Sequence, residues 1–272
     1  MIAFPNCKIN LGLNILEKKE DGFHDLETFF FPINIHDVLE LLPSKENTTL
    51  LTTSGILFEE PETNICLKAY LLVKKDYPDL PAINIHLHKA IPLGAGLGGG
   101  SADGVAALQL INKKFGLNIS SARLFAYASK LGSDCPFFLL NKPCFASGRG
   151  ETLEPMKLSL SGYKIIVVNP GIHLSTTEAF KDIIPSMPKK RIKEIIRQPI
   201  DTWKKELVND FENSVFKKYP DVLQIKKELY EKGAVYAAMS GSGSTVYGIF
   251  KHNSIIKYTA NAGYFYKIIK SD

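Results

Sequence analysis

The sequence predicts a mixed α/β protein, because segments with strand periodicity and segments with helical periodicity follow one another along its 272 residues. The most informative segment covers residues 83–111. Residues 83–87 alternate like a strand, five of the seven residues at 94–100 are glycine, and residues 105–111 have helical apolar spacing. Backbone N–H groups at a glycine loop and at a helix start bind anions. A phosphate chain is therefore the simplest ligand for this segment.

In the first half, alternation and β-branched residues predict strands at residues 4–16, 29–35, 38–42, 47–53 and 83–87. Apolar spacing predicts helices over 64–75 and 122–130, besides the one that follows the glycine run. Asn64 is the expected N-cap of the first helix, and Gly116 and Gly132 are expected helix ends. We expect a turn at Asp134, an apolar strand led by Pro136, and a strand and hairpin over 144–150.

The second half has its own pattern of elements. Residues 157–162 are the predicted boundary between an N-terminal domain, 1–156, and a C-terminal domain, 157–272. Strands are predicted at 165–168, 235–238, 246–250 and 264–269, and helices at 176–182, 210–219 and 222–232. Lysine-rich turns are expected over 185–198. A second glycine loop, residues 239–245, joins two strands, and a simple hairpin turn is its alternative interpretation.

Composition narrows the class of protein. The chain is 45% hydrophobic and 22% charged, with a net charge of +5, and its lysines are scattered rather than clustered. We therefore expect no nucleic-acid surface. The four cysteines form no Cys-x-x-Cys pair and no zinc set, which favours buried thiols in a reducing compartment and no metal site. With neither a signal-peptide pattern nor a run of about 20 apolar residues, we expect a cytoplasmic protein without membrane contact.

Two common phosphate-binding templates do not explain the glycine run. Gly94, Gly96 and Gly99 fit the spacing of a dinucleotide site, but that site needs an acid about 20 residues later. After Asp103 the next acidic residue is Asp134, in the wrong context. No Gly-Lys-Ser/Thr closes the loop as the Walker A pattern requires. A flexible linker is disfavoured because an apolar helix follows at once.

Residues 92–102 read Pro-x-x-x-Gly-Leu-Gly-Gly-Gly-Ser followed by a small residue, and residues 132–138 read Gly-Ser-Asp-Cys-Pro-Phe-Phe. The first run resembles the central motif of the GHMP kinases, which include galactokinase, homoserine kinase and mevalonate kinase. Residues 239–245 resemble the third motif of that family. The motifs occur in the family order, and the resemblance spans nearly the whole chain.

Residues 8–13, 21–24 and 132–138 resemble one particular member, which phosphorylates the 2-hydroxyl of a cytidine-diphosphate-linked methylerythritol on the non-mevalonate route to isoprenoids. The resemblance implies a two-part α/β fold, with a ribosomal S5 domain 2-like N-terminal domain and a ferredoxin-like C-terminal domain. It implies ATP as phosphoryl donor with Mg²⁺ on its phosphates. It also implies a monomer or weak homodimer. A GHMP kinase for mevalonate or homoserine, and a non-catalytic nucleotide-binding regulator, are the alternatives.

The resemblance also implies roles for individual residues. Asp134 is the expected general base and Lys8 the cation that stabilises the transferring group. The expected ATP contacts are Pro92, Leu93, Gly94, Ala95, Gly96, Leu97, Gly98, Gly99, Gly100, Ser101 and Ala102, with Asn64 and Lys89 near the adenine or ribose. Phe23 and Phe180 are expected to sandwich the cytosine, with His24 at its edge. Asn10, Thr177 and Gly241 complete the expected substrate contacts.

Three positions depart from the family pattern. Cys7 stands where alanine is common, Phe23 where tyrosine is common, and Ala102 where a second serine often follows. Phe23 keeps a stacking ring and loses a hydroxyl group, so it is the departure expected to touch ligand chemistry.

Overall fold

The computed structural model describes residues 1–56 and 64–270. Its strands, in chain order, are β1 (Ile2–Ala3), β2 (Asn6–Lys18), β3 (His24–His36), β4 (Val38–Pro43), β5 (Leu50–Gly55), β6 (Ile83–Lys89), β7 (Cys144–Gly148), β8 (Thr152–Pro155), β9 (Tyr163–Asn169), β10 (Tyr236–Met239), β11 (Val246–Lys251) and β12 (Phe265–Lys270). Its helices are α1 (Ile65–Asp76), α2 (Gly99–Phe115), α3 (Ser121–Leu131), α4 (Cys135–Leu140), α5 (Thr176–Phe180), α6 (Ile192–Ile195), α7 (Ile200–Glu206), α8 (Glu212–Lys218) and α9 (Pro220–Glu231).

The chain divides into two compact units. The first unit holds Met1–Cys7, Asn34–Ile91 and Gly98–Asn141, and the second holds Lys8–Ile33, Pro92–Leu97 and Lys142–Asp272. Within the described residues, no helix is both long and apolar enough to cross a bilayer.

The first unit is built on one four-stranded sheet with the strand order β1-β4-β6-β5. β4 runs antiparallel to β6, and β5 runs parallel to β6. Alternate side chains of β6 are buried, including Ile85 and Leu87, because α2 packs on that side against β4. α2 also packs against α1 and α4, so it is the central helix of this unit.

Local signals set the helix bounds in this unit. The Asn64 side chain accepts the Cys66 N–H at 2.8 Å and begins α1, as predicted. α2 begins inside the glycine run, at Gly99, and ends at Gly116, whose left-handed φ of 58° closes the last turn. The Ser120 side chain caps α3.

The second unit holds two four-stranded sheets, with the orders β2-β3-β7-β8 and β10-β11-β9-β12. The second of these sheets is antiparallel throughout, and α9 packs on β10 and β11. One apolar core joins side chains of β2, β9 and α9, including Ile15, Val168 and Leu229. This core fixes β2, which carries Lys8 and Asn10, to the strands of the C-terminal half.

Some predicted elements were wrong. The apolar strand expected after Pro136 is the short helix α4, because proline suits the first turn of a helix and six residues are too few for a period to be recognised. The turns expected over 185–198 contain α6, and α7 was not predicted. β3 begins at His24 rather than at residue 29.

Candidate active site

The loop Pro92–Leu97 belongs to the second unit, and its carbonyl groups accept hydrogen bonds from other residues of that unit. Three consecutive carbonyls accept hydrogen bonds: Ala95 from the Thr245 N–H (3.3 Å), Gly96 from the Ser240 hydroxyl (2.8 Å) and the Lys8 ammonium (3.2 Å), and Leu97 from the Lys8 N–H (2.9 Å). These bonds fix the loop against β2 and against the second glycine loop, residues 239–245.

The amide groups of the same loop are left without acceptors. The N–H groups of Gly94, Ala95, Gly96 and Leu97 donate to no residue in the part of the chain that the structure describes. Ala95 and Leu97 are buried, Gly96 is half-buried and Gly94 is exposed, so this row of amides can bond to solvent or to a ligand. Successive amides of this kind form a concave anion site. The loop therefore has the chemistry of a phosphate-binding nest.

Two positions in this loop require glycine. Gly96 has a φ of 76°, and a Cβ there would overlap the Ser240 carbonyl oxygen. Gly94 has a φ of 57°, and a Cβ there would stand 2.5 Å from Nδ1 of His173. A side chain at either position would be strained and would collide with a neighbour.

Lys8 and Asn10 form a buried polar pair on β2. Strand alternation puts both side chains on one face. Lys8 is only 2% exposed, and its Nζ lies 2.5 Å from Oδ1 of Asn10 and 5.1 Å from the centre of the Phe30 ring. Asn10 Nδ2 donates to the Thr28 hydroxyl at 2.9 Å, which fixes the amide with its oxygen towards the ammonium. The structure thus holds a positive charge beside the Gly96 carbonyl.

Gly241 lies next to Asn10 and to the first glycine loop. A Cβ on Gly241 would stand 3.2 Å from the Gly96 carbonyl oxygen and 3.3 Å from Oδ1 of Asn10. The Gly241 carbonyl accepts a hydrogen bond from Asn209 Nδ2 at 2.8 Å. Two expected substrate contacts, Asn10 and Gly241, are therefore neighbours in the second unit.

A pocket of about 700 Å³ opens in the second unit. It is lined by Lys18, Gly22, His24, Ser175, Thr177, Glu178, Phe180, Lys181 and Ile183. The His24 and Phe180 rings are stacked with their centres 4.7 Å apart and their planes inclined by 19°. Burial, together with the nearby Lys18 charge, lowers the pKa of His24 and favours its neutral imidazole. This flat, partly apolar wall suits a heteroaromatic ring.

Phe23 does not line this pocket. Its ring is 52% exposed and lies 3.6 Å from the Arg149 guanidinium, which also bonds Asp21 at 2.6 Å. The structure thus brings His24, Thr177 and Phe180 together and places Phe23 against Arg149. The proposed cytosine sandwich of Phe23 and Phe180 stays a prediction.

In the first unit, Lys89 is part of a buried three-residue cluster. Its ammonium pairs with Asp37 and, at 2.8 Å, with Asp103. Asp37 Oδ1 also accepts the N–H groups of Ala90 and Ile91, at 2.6 and 2.9 Å. Burial lowers the pKa of Lys89, but Asp103 and Asp37 outweigh it and raise the pKa above its usual value. Lys89 is 2% exposed and Asn64 caps α1, so both expected nucleotide contacts have structural partners.

Asp103 lies in the first turns of α2 and is the less well-paired acid of this cluster. Its Oδ1 is buried and has no hydrogen-bond partner among the described residues. Burial raises the pKa of Asp103 to about 7, and the charge of Asp37 adds to this effect against the opposing Lys89. Burial and the Asp37 charge thus favour the neutral form of Asp103, and the Lys89 ammonium opposes them.

The first unit also carries Asp134 and the start of α2. Asp134 directly precedes α4, between the end of α3 and Cys135. No side chain caps α2 at Gly98, so its first N–H groups are open to an acceptor. Ala102 belongs to the first turn, since its N–H donates to the Gly98 carbonyl.

Burial raises the pKa of Cys135 to about 12, which makes this thiol unreactive near neutral pH.

Sequence reasoning missed several residues of these sites. Thr28, Tyr247 and His173 touch predicted site residues through contacts between distant parts of the chain, and no sequence pattern indicates a role for them. Ser240 could have been found, because it lies inside the second glycine loop that was already recognised as a motif.

Two family profiles match this chain. The profile described as the GHMP kinases N terminal domain matches residues 64–142, and that described as GHMP kinases C terminal matches residues 192–260. With the mixed α/β fold, they define the class of protein as a GHMP kinase. This confirms the fold class and the resemblance found in the sequence. A mevalonate kinase of Methanococcus jannaschii has a TM-score of 0.69 at 12% identity, which shows a shared fold alone.

More similar relatives narrow the family. Proteins of Bacteroides fragilis and Porphyromonas gingivalis, both named 4-diphosphocytidyl-2-C-methyl-D-erythritol kinase, are 53% and 42% identical to this chain. Each alignment covers 92% of both partners. A crystal structure of 4-(cytidine 5′-diphospho)-2C-methyl-D-erythritol kinase has a TM-score of 0.77 at 30% identity, covering 91% of this chain and 89% of that one. The chain belongs to the 4-diphosphocytidyl-2-C-methyl-D-erythritol kinase family of GHMP kinases.

Proposed function

We propose that this protein transfers the γ-phosphoryl group of ATP to the 2-hydroxyl of 4-diphosphocytidyl-2-C-methyl-D-erythritol, a step in non-mevalonate isoprenoid precursor synthesis. The observation that carries the proposal is 53% identity to the Bacteroides fragilis kinase over 92% of the chain. The unpaired amides of the loop Pro92–Leu97 support a phosphate ligand, and the pocket beside His24 and Phe180 supports a heteroaromatic one. Both features belong to the same unit.

In the proposed reaction, the acceptor hydroxyl oxygen forms a bond to the γ-phosphorus and the bond from that phosphorus to the β-phosphate oxygen breaks. The hydroxyl proton passes to Asp134, the proposed general base, and ADP leaves. Lys8 stabilises the negative charge of the transferring group with its ammonium. The loop Pro92–Leu97 and residues 98–102 orient the phosphates through backbone amides, and Asn64 and Lys89 are assigned to the adenosine side.

Mg²⁺ is proposed on the ATP phosphates, where it would neutralise charge on the transferring group. No cluster of three or more His, Cys, Asp or Glu side chains that could hold a metal ion occurs in residues 1–56 and 64–270. An ion held mainly by phosphate oxygens and water is the usual state of Mg²⁺ in kinases. The backbone amides of residues 92–102 and the Lys8 ammonium would then position the phosphates.

For the acceptor, we propose that the cytosine lies between Phe180 and Phe23, with His24 at its edge. Thr177, Asn10 and Gly241 complete the proposed contacts. The neutral imidazole favoured by the lowered pKa of His24 can both donate and accept a hydrogen bond, as a cytosine edge requires. The division into domains 1–156 and 157–272, the cytoplasmic location and the monomeric or weakly dimeric state stay predictions.

An acceptor comparison tests the proposed function. The purified protein is incubated with ATP, Mg²⁺ and one of three acceptors: 4-diphosphocytidyl-2-C-methyl-D-erythritol, mevalonate or homoserine. We expect ADP formation and a phosphorylated product with the first acceptor alone, identified by phosphorus NMR as a 2-phosphate. Phosphorylation of mevalonate or homoserine at a comparable rate would contradict the assignment. ATP binding without transfer to any acceptor would contradict a catalytic function.

A further inference from the structure

His173 is a site residue that the family motifs do not assign. Its ring occupies the place where a side chain on Gly94 would stand, with Nδ1 2.5 Å from the position of that Cβ. Gly94 is the first of the four loop residues whose amides have no acceptor among the described residues. His173 and Gly94 belong to the same compact unit.

The turn that carries His173 is tied to both glycine loops. Four hydrogen bonds join β9, this turn and the second glycine loop: Gly171 N–H to Asn169 Oδ1 (2.9 Å), Asn169 Nδ2 to the hydroxyls of Ser244 (3.2 Å) and Thr245 (3.0 Å), and the Ser244 hydroxyl to the Ile172 carbonyl (2.5 Å). Thr245 in turn donates its N–H to Ala95. The turn that carries the imidazole is therefore held beside the loop Pro92–Leu97.

The imidazole itself is available for a ligand. His173 is exposed, and neither ring nitrogen bonds any residue in the described part of the chain. A neutral imidazole carries one N–H donor, and a protonated one carries two donors and a positive charge. An unused donor beside a row of unused amides is suited to an anion with several oxygens.

We propose that His173 binds phosphate, donating a ring N–H to a phosphate oxygen held at the loop Pro92–Leu97. The inference rests on the proposed kinase function. That function could hold without any role for His173. Two phosphate groups have the right chemistry, the triphosphate of ATP and the diphosphate of the cytidine acceptor. The second is a candidate because Ser175 and Thr177, which follow His173 closely, line the pocket beside His24 and Phe180.

Kinetics of position-173 variants test the proposal and identify the source of the phosphate. His173→Ala removes the donor, His173→Lys restores a cationic donor, and His252→Ala is the matched control in an exposed turn after β11. We expect His173→Ala to raise one Michaelis constant about tenfold, the size of one charge-assisted hydrogen bond. His173→Lys should recover most of this loss. A rise for ATP identifies the triphosphate, and a rise for the acceptor identifies its diphosphate.

Calorimetric titration with ADP and with cytidine diphosphate gives the same comparison without turnover. The affinity that falls in His173→Ala should match the Michaelis constant that rises, while His252→Ala and the melting temperature remain as in the parent protein. Unchanged constants and affinities in His173→Ala would overturn the inference. An equal loss in His173→Ala and His173→Lys would also overturn it, because a donor would then not be what matters. Activity of the parent protein, measured in the same assay, tests the proposed function separately.

Discussion

Lys8 is a buried ammonium on β2, and its surroundings include Asn10, the Gly96 carbonyl and the Phe30 ring. Asn10 Oδ1 lies 2.5 Å from its Nζ, and the Gly96 carbonyl oxygen lies 3.2 Å from it. A buried cation acts strongly on a nearby charge, because the protein interior screens charges less than water does. This arrangement fits a residue that stabilises charge on a transferring phosphoryl group.

Removing this charge should reduce turnover and preserve the fold. Lys8→Met keeps the length of the side chain, and the Gly96 carbonyl retains its bond from the Ser240 hydroxyl. We expect kcat to fall about a hundredfold to a thousandfold, the usual loss for one group that stabilises transition-state charge. Steady-state kinetics and circular dichroism check the two expectations.

The double variant tests whether Lys8 and Asp134 serve one chemical step. Residues that act as a unit give losses far smaller in combination than the product of the single losses. We therefore expect Lys8→Met with Asp134→Asn to be little worse than either single variant. Single variants with near-normal kcat would remove the residue concerned from the mechanism.

For single residues, the sequence predicted the site residues that belong to motifs. It missed the residues that the fold brings to the site from distant parts of the chain. Alternation along β2 is enough to put Lys8 and Asn10 on one face. His173 meets Gly94 only because hydrogen bonds tie its turn to the second glycine loop, and no local period records such a contact. The Phe23 ring was predicted to stack, but its contact with Arg149 depends on where the hairpin after β7 folds back.

At the scale of elements, the glycine run forms two different structures, a loop and the first turn of a helix, although it is one continuous run in the sequence. Its first part, to Leu97, is a loop whose carbonyls bond to other residues of the second unit, and its later part is the first turn of α2. The sequence predicted the strand, the loop and the helix in that order. It did not predict where the helix begins, since glycine is a poor helix former and its presence in a first turn gives no helical signal.

A pair of glycine substitutions separates these two parts. Gly96→Ala meets the Ser240 carbonyl and an unfavourable φ of 76°, so we expect it to lower the free energy of unfolding by more than about 1 kcal/mol. Gly100→Ala is the matched control, because no atom lies within 4 Å of its Cβ position and alanine favours the helix. Urea unfolding measures both. A Gly96→Ala protein as stable as the parent would show that the two loops do not pack as described.

At the scale of the whole molecule, each compact unit draws on segments far apart in the chain. β2 and most of β3 share a unit with the C-terminal strands, and the core that joins Ile15 to Leu229 is the physical reason. Sequence patterns predict which segments are strands, but not which distant strands share a core. The buried cluster of Asp37, Lys89 and Asp103 was missed for the same reason: its members came from a strand end and a helix that the sequence treats separately.

This cluster gives the stability of the molecule a defined dependence on pH. The pKa of Asp103 is about 7 in the folded protein and near its ordinary value of about 4 when unfolded. The folded state therefore binds more protons between these values, and stability falls as pH rises from about 4 to about 7, by at most about 1.4 kcal/mol per pH unit. Above about pH 7 the contribution is constant.

Asp103→Asn removes this titration, because an amide stays neutral across the range. We expect the variant to gain stability relative to the parent as pH rises from about 4.5 to about 7, with no further gain above. Asp79→Asn, at an exposed turn, is the control and should show no such relative change. Urea unfolding at half-unit steps between pH 4.5 and 8 measures the difference. A difference between Asp103→Asn and the parent that stays constant with pH would mean that Asp103 is ionised throughout, with its charge balanced by Lys89.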